Sequence, residues 1–88
     1  MYMTEELSLL KARLGISSSV RDEYLLAIIN GIKSELIDLY GVALDDASPH
    51  QIMFIVDYAT YRYQNKEESG AMPRHLQFRL HNLIVGGN

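Results

Sequence analysis

The feature that most constrains this fold is a run of apolar residues spaced three and four apart between positions 25 and 39. That spacing places side chains on one face of an α-helix. The run comprises Leu25, Ile28, Ile29, Ile32, Leu36 and Leu39, and Leu26, Ile37 and Tyr40 widen its apolar surface. We therefore predict a long helix that is central because it packs on two sides. Gly31 within it indicates close approach by a neighbouring helix.

Start and stop signals give the bounds of this helix and of two others. Thr4 is the expected N-cap of a first helix, Glu5 to Leu14, which Gly15 ends. The Ser17 to Ser19 cluster is expected to supply the N-cap of the long helix, with Asp22 and Glu23 in its first turn, and Gly41 to close it. Ser48, Pro49 and Gln51 form a capping box that starts a third helix, which we expect to end near Asn65.

The C-terminal segment fits two patterns. Pro73 permits a fourth helix, and Leu76, Leu80, Leu83 and Ile84 have helical spacing, but Leu76, Phe78 and Leu80 also alternate with polar residues as in a strand. We prefer the helix over residues 74–85. We expect residues 66–71, which include Gly70, to form a mobile polar loop, and residues 86–88 to form a frayed tail.

These elements predict an all-α fold, a small bundle of three to four helices with a long central helix. The 88 residues support one hydrophobic core, so we expect a single domain over residues 1–88. A hydrophobic content of 48% with 22% charged residues excludes a wholly disordered chain.

Charge and composition narrow the class of function. The net charge of −3 argues against a protein that neutralises many DNA phosphates. The chain has no cysteine, which excludes disulfides and thiolate chemistry. The run from Tyr24 to Ile32 is too short to cross a bilayer, and the first residues lack a signal-peptide pattern, so we expect no membrane association and a cytoplasmic location.

Candidate catalytic and metal-binding residues all have simpler interpretations. His75 and His81 lie six apart, which places them on different helix faces, and His50 belongs to another helix start. Paired acids such as Asp22 and Glu23 are explained by helix dipoles. No phosphate-binding glycine loop is present in the sequence. We expect no catalytic residue, no metal and no cofactor, and hence no enzyme.

Tyrosines in the third helix allow three interpretations. Tyr58, Tyr61 and Tyr63 with Arg62 could stack on single-stranded nucleic acid, form core, or contact a protein partner. We rank a protein interface first and nucleic acid last, with Tyr63 in the core. Apolar residues left over on the last two helices extend this interface. The predicted partner-interface residues are Phe54, Tyr58, Tyr61, Phe78, Leu83, Ile84 and Val85.

The order of these elements resembles a known family. In chain order, the sequence has a short first helix, Leu14-Gly15-Ile16, a long helix ending Leu39-Tyr40-Gly41, a proline-started helix ending in Tyr61 to Glu67, and a link from Gly70 to Pro73. This order is similar to that of the head-to-tail connector (head-completion adaptor, DNA packaging) proteins of tailed bacteriophages. The resemblance covers nearly the whole chain.

The resemblance implies a structural protein of a phage or prophage, not an enzyme. Its expected partners are the portal protein, a downstream head-completion or tail protein, and other copies of itself. These copies would form a ring, commonly of twelve, although the isolated chain can be a monomer. Double-stranded DNA would pass through the ring without specific binding. The expected location is the host cytoplasm during assembly and then the head–tail junction of the virion. Two alternatives stay open: a small helical DNA-binding regulator and a generic cytoplasmic protein-interaction module.

Overall fold

A computed structural model describes residues 4–45, 47–65 and 72–86 and confirms the all-α prediction. The described residues form four helices: α1 (Glu5–Leu14), α2 (Asp22–Asp38), α3 (Pro49–Gln64) and α4 (Arg74–Gly86). The predicted loop at 66–71 lies outside the described residues. The segment at 74–85 is helical, and Gly86 continues α4 instead of belonging to a frayed tail.

Local capping explains why α1 and α3 begin where the sequence predicts. The Thr4 hydroxyl accepts a hydrogen bond from the Leu7 N–H at 3.1 Å, and the Ser48 hydroxyl accepts one from the Gln51 N–H at 3.4 Å. The capping box of α3 is only half formed, because the Gln51 side chain bonds the Asp45 N–H and the Ala43 carbonyl instead of the cap. That side chain thereby holds the α2–α3 connection against α3.

The start of α2 differs from the prediction. Its N-cap is Arg21, which makes no side-chain cap, so the serine cluster does not cap the helix. The buried Asp22 carboxylate instead lies 2.7 Å from the Lys11 ammonium of α1. An ion pair from another helix therefore fixes this end of α2. At the other end Gly41 has φ +66°, and the Val42 N–H returns to the Leu36 carbonyl at 2.8 Å, as expected for a glycine that closes a helix.

The core joins all four helices, and α3 is at its centre. α3 packs against α1, α2 and α4, whereas α2 packs against α1 and α3. α2, the longest helix, packs on two sides as predicted, and α3 is the helix that contacts all three others. The main core side chains are Leu7, Leu10, Leu25, Ile29, Ile32, Leu36, Val42, Phe54, Ile55, Ala59, Leu76, Leu80 and Leu83.

Gly31 does not mark a close helix approach. A Cβ built on Gly31 would meet no atom within 4 Å, so no neighbouring helix of the described chain requires glycine there. Gly31 lies on the side of α2 away from Leu25, Ile29 and Ile32. Within one chain the predicted packing role is therefore wrong, because Gly31 lies away from the core face of α2.

Candidate functional site

Two of the predicted interface residues are core residues. Phe54 is 1% exposed and Leu83 is 3% exposed, so neither presents surplus apolar surface to a partner. The prediction assumed that α3 buries one face. Because α3 packs against the three other helices, most of its N-terminal half is covered, except the side with Pro49, His50 and Met53.

Tyr58 and Tyr61 are half-buried and pack against the core. The Arg62 guanidinium lies 4.6 Å from the centre of the Tyr58 ring and donates to its hydroxyl at 3.2 Å. Arg62 also donates to both Glu35 carboxylate oxygens at 2.7 Å. Burial disfavours the Arg62 charge, but the hydrogen bonds to Glu35 and Tyr58 outweigh it and raise the pKa of Arg62 above its usual value. These groups satisfy one another within the chain and do not form a free stacking platform.

Tyr63 is half-buried and packs against the core near the C-terminal end of α3. Its hydroxyl accepts a hydrogen bond from Arg21, whose guanidinium carbon lies 5.8 Å from the ring centre. The Tyr24 ring lies 6.0 Å away. The prediction that Tyr63 serves the core therefore agrees with its position, and Arg21 is engaged within the chain as well.

The remaining predicted interface residues are exposed on α4. Phe78 is 66% exposed, Val85 is 72% exposed and Ile84 is 43% exposed. Arg74, Phe78, His81 and Val85 follow one another at helical spacing and lie opposite the buried Leu76, Leu80 and Leu83. We call these four residues the α4 stripe. Phe78 and Val85 lie on this face two helical turns apart, and with the neighbouring Ile84 they form the exposed apolar surface of α4, which we take as the candidate interaction surface.

An ion-pair cluster holds α4 in place behind this stripe. The Asp57 carboxylate of α3 accepts from Arg79 of α4 at 2.5 Å and from Arg13 of α1. Burial favours the neutral carboxyl, but the hydrogen bonds and charges of Arg79 and Arg13 outweigh this and lower the pKa of Asp57 below its ordinary value of 3.8. Sequence analysis missed this cluster, since a lone aspartate within an amphipathic helix does not reveal which cations surround it.

Open grooves flank the stripe. One of about 440 Å³ is lined by Arg74, Gln77, Phe78 and His81. A second of about 360 Å³ lies between Tyr40, two residues beyond α2, and Leu80, His81 and Ile84 of α4. All three histidines are exposed, and the described residues contain no group of three His, Cys, Asp or Glu that could hold a metal ion. This surface provides apolar contacts next to a positive charge.

Comparisons with known proteins assign neither a family nor a function to this chain. No family model, no curated protein and no solved structure matches this chain. Within the described residues, no helix combines the length and apolar character needed to cross a membrane.

Proposed function

We propose that this chain is a non-enzymatic structural adaptor of a tailed phage or prophage, which docks on the portal after DNA packaging and assembles into a ring through which DNA passes. The fold-level support is the order of its elements, which resembles that of head-to-tail connectors. In this role the chain first associates with the portal in the host cytoplasm and then remains at the head–tail junction, where the next head-completion or tail protein binds.

The α4 stripe is the observation that carries this proposal. Phe78 is 66% exposed on a helix that three buried leucines and the Asp57 cluster fix to α3. A preformed apolar surface loses little conformational entropy on docking, which favours a protein–protein contact. An assembly protein needs such a surface because it must stay attached while DNA and the tail are in place.

The distribution of cations supports passage of DNA over binding of DNA. Five of the eight Lys and Arg residues form ion pairs within the described chain: Lys11, Arg13, Lys33, Arg62 and Arg79. Paired cations release few counterions from DNA, so they add little affinity. A DNA-binding regulator would instead present its cations along one exposed helix, and no specific contact favours that alternative. A generic interaction module would use the same α4 stripe without a phage partner.

Imaging of packaged phage heads by electron cryomicroscopy tests the proposal. Heads incubated with this protein are expected to gain a symmetric ring of density below the portal, and heads without it are not. Phe78→Asp places a charge on the α4 stripe and is expected to reduce the protein assembled on heads on the order of tenfold. The fold should survive, because Phe78 is largely outside the core.

Val20→Asp is the matched control. Val20 is 86% exposed and precedes α2, away from the stripe, so the same substitution there should leave the ring density unchanged. Heads that retain DNA and join tails with no added density contradict the adaptor role and favour the generic interaction module. Undiminished ring density with Phe78→Asp would show that the α4 stripe is not the contact.

A further inference from the structure

An exposed face of α2 matches the α4 stripe in charge. Asp38 is exposed in the last turn of α2, and Arg74 is exposed in the first turn of α4. Neither has an ion pair among residues 4–45, 47–65 and 72–86. Each charge also lies at the helix end whose dipole disfavours it, since helix C-termini attract cations and N-termini attract anions. An ion pair between Arg74 and Asp38 would offset the unfavourable interaction of each charge with its own helix dipole.

The same two surfaces match in spacing. Arg74, Phe78, His81 and Val85 are separated by four, three and four residues. Read in the opposite direction, Asp38, Ser34, Gly31 and Ala27 on α2 are separated by four, three and four residues. We call these four residues the α2 face. At 1.5 Å per residue both surfaces are about 16 Å long. With the helices antiparallel, Arg74 meets Asp38, and Val85 meets Ala27.

The side chains in this register also fit in size. Phe78 would lie over Ser34, and His81 over Gly31, where the space that a Cβ would occupy is open. Ala27 and Ser34 are exposed, so no other described part of the chain covers them. Large side chains of one helix facing small ones of the other allow close approach of the two backbones.

We infer that the α4 stripe of one subunit docks antiparallel on the α2 face of a second copy of this chain. α2 and α4 do not pack on each other within one chain, so the contact must form between copies. The two surfaces differ, and each docked pair leaves one α2 face and one α4 stripe free. Such a heterologous contact continues from copy to copy and forms a ring when the rotation between neighbouring copies closes. The inference rests on the proposed function, for which it names the ring contact.

A pair contact of one helix on another is small, so we expect it to be weak in free solution. Subunits that share a docking platform experience effective concentrations on the order of millimolar, which is enough to close a ring from weak contacts. Sedimentation of the intact chain at about 1 mM therefore tests the contact at the relevant concentration. We expect concentration-dependent association there.

Charge reversal tests the register. Arg74→Glu and Asp38→Arg are each expected to weaken self-association on the order of tenfold. The double variant restores the opposite charges between neighbouring copies and should recover association. Glu23→Arg is the matched control, because Glu23 is an exposed acid on α2 that lies beyond the aligned positions. Circular dichroism of each variant confirms that the helices remain folded.

Cysteine cross-linking tests the partner surface directly, since the natural chain has no cysteine. A mixture of Ala27→Cys and Val85→Cys chains should form mixed disulfide dimers under oxidation. A mixture of Ala27→Cys and Arg74→Cys, which lie at opposite ends of the register, should not. Preferential Val85→Cys homodimers would indicate a symmetric α4–α4 contact and overturn the inference.

The result separates this inference from the proposed function. A chain that stays monomeric at about 1 mM, or a double variant that fails to recover association, overturns the α4–α2 contact. Ring density on packaged heads would then still support the adaptor role through other contacts. Association with the expected rescue but no density on heads would support the contact and contradict the adaptor role.

Discussion

Asp57 connects three helices through one carboxyl group. It lies on α3 and accepts from Arg13 of α1 and Arg79 of α4. The charge on Asp57 therefore fixes how α1 and α4 sit on the central helix. Sequence could not reveal this, because the three residues are distant in the chain and their side chains meet only once α3 is packed between the other two helices.

Asp57→Asn should lower the free energy of unfolding by about 1–2 kcal/mol at pH 7, since it removes the charge from two hydrogen-bonded pairs of which one is half exposed. The folded pKa of Asp57 is below its ordinary value of 3.8. Its stabilisation is therefore fully present above pH 3.8 and is lost as pH falls through the folded pKa. Urea unfolding of both proteins as a function of pH measures the difference.

The matched control is Asp45→Asn, which removes an exposed loop carboxylate that forms no ion pair in the described chain. We expect it to change the free energy of unfolding by less than about 0.5 kcal/mol. A constant difference between natural chain and Asp57→Asn from neutral to acid pH would contradict the role of the Asp57 charge.

At the scale of elements, α4 is the helix with the fewest supports. It packs on α3 alone among the described helices, through Leu76, Leu80 and Leu83. Leu76→Ala removes a side chain that is 1% exposed and should cost about 2–5 kcal/mol. Because α1, α2 and α3 keep their mutual contacts, we expect α4 to open locally before the rest unfolds.

Amide hydrogen exchange resolved by helix measures this. In Leu76→Ala the α4 amides should exchange much faster, while those of α3 change less. Leu25→Ala is the comparison, because Leu25 is fully buried on α2 and its loss should speed exchange throughout the core. Equal acceleration of all helices in Leu76→Ala would mean that α4 folds as one unit with the other three.

The elements that sequence predicted correctly are those whose ends are set locally. Thr4 and Gly15 bound α1 by their own backbone and side-chain geometry, and Ser48 with Pro49 begins α3. The errors concern contacts between elements. Phe54 is core because α3 contacts three helices, and Gly31 lies on the side of α2 away from the core. Periodicity shows that a helix has an apolar face, but not how many neighbours cover it.

For the candidate site too, the sequence predicted some features and missed others. Phe78, Ile84 and Val85 were predicted as partner contacts and are exposed. Helical spacing leaves Phe78 and Val85 off the leucine face of α4, whereas the same spacing grouped Ile84 with the leucines although it is exposed. The match between the α4 stripe and the α2 face could not be found from sequence alone. It depends on which α2 residues are exposed, and that follows from the packing of α2 against α1 and α3.

At the scale of the whole molecule, the net negative charge and the internal ion pairs of the cations both weaken DNA binding. The chain carries −3, and Arg21 contacts Tyr63 in addition to the five cations in ion pairs. Among the described Lys and Arg residues this leaves Arg21 and Arg74 without an ion pair, and we assign Arg74 to the contact between copies. We therefore expect the isolated chain to bind random-sequence duplex DNA more weakly than about 10⁻⁴ M at ~150 mM salt, near the weak end for non-specific binding.

Fluorescence anisotropy of a labelled duplex, measured over a range of salt concentrations, tests this expectation. Combining Asp57→Asn with Glu35→Gln frees Arg13, Arg62 and Arg79 from carboxylates, so this variant should bind DNA more tightly and with a steeper salt dependence. The comparison shows whether internal pairing suppresses DNA binding. Tight, salt-dependent binding by the natural chain would instead favour the DNA-binding regulator, because a conduit that holds many phosphates would resist the passage of DNA.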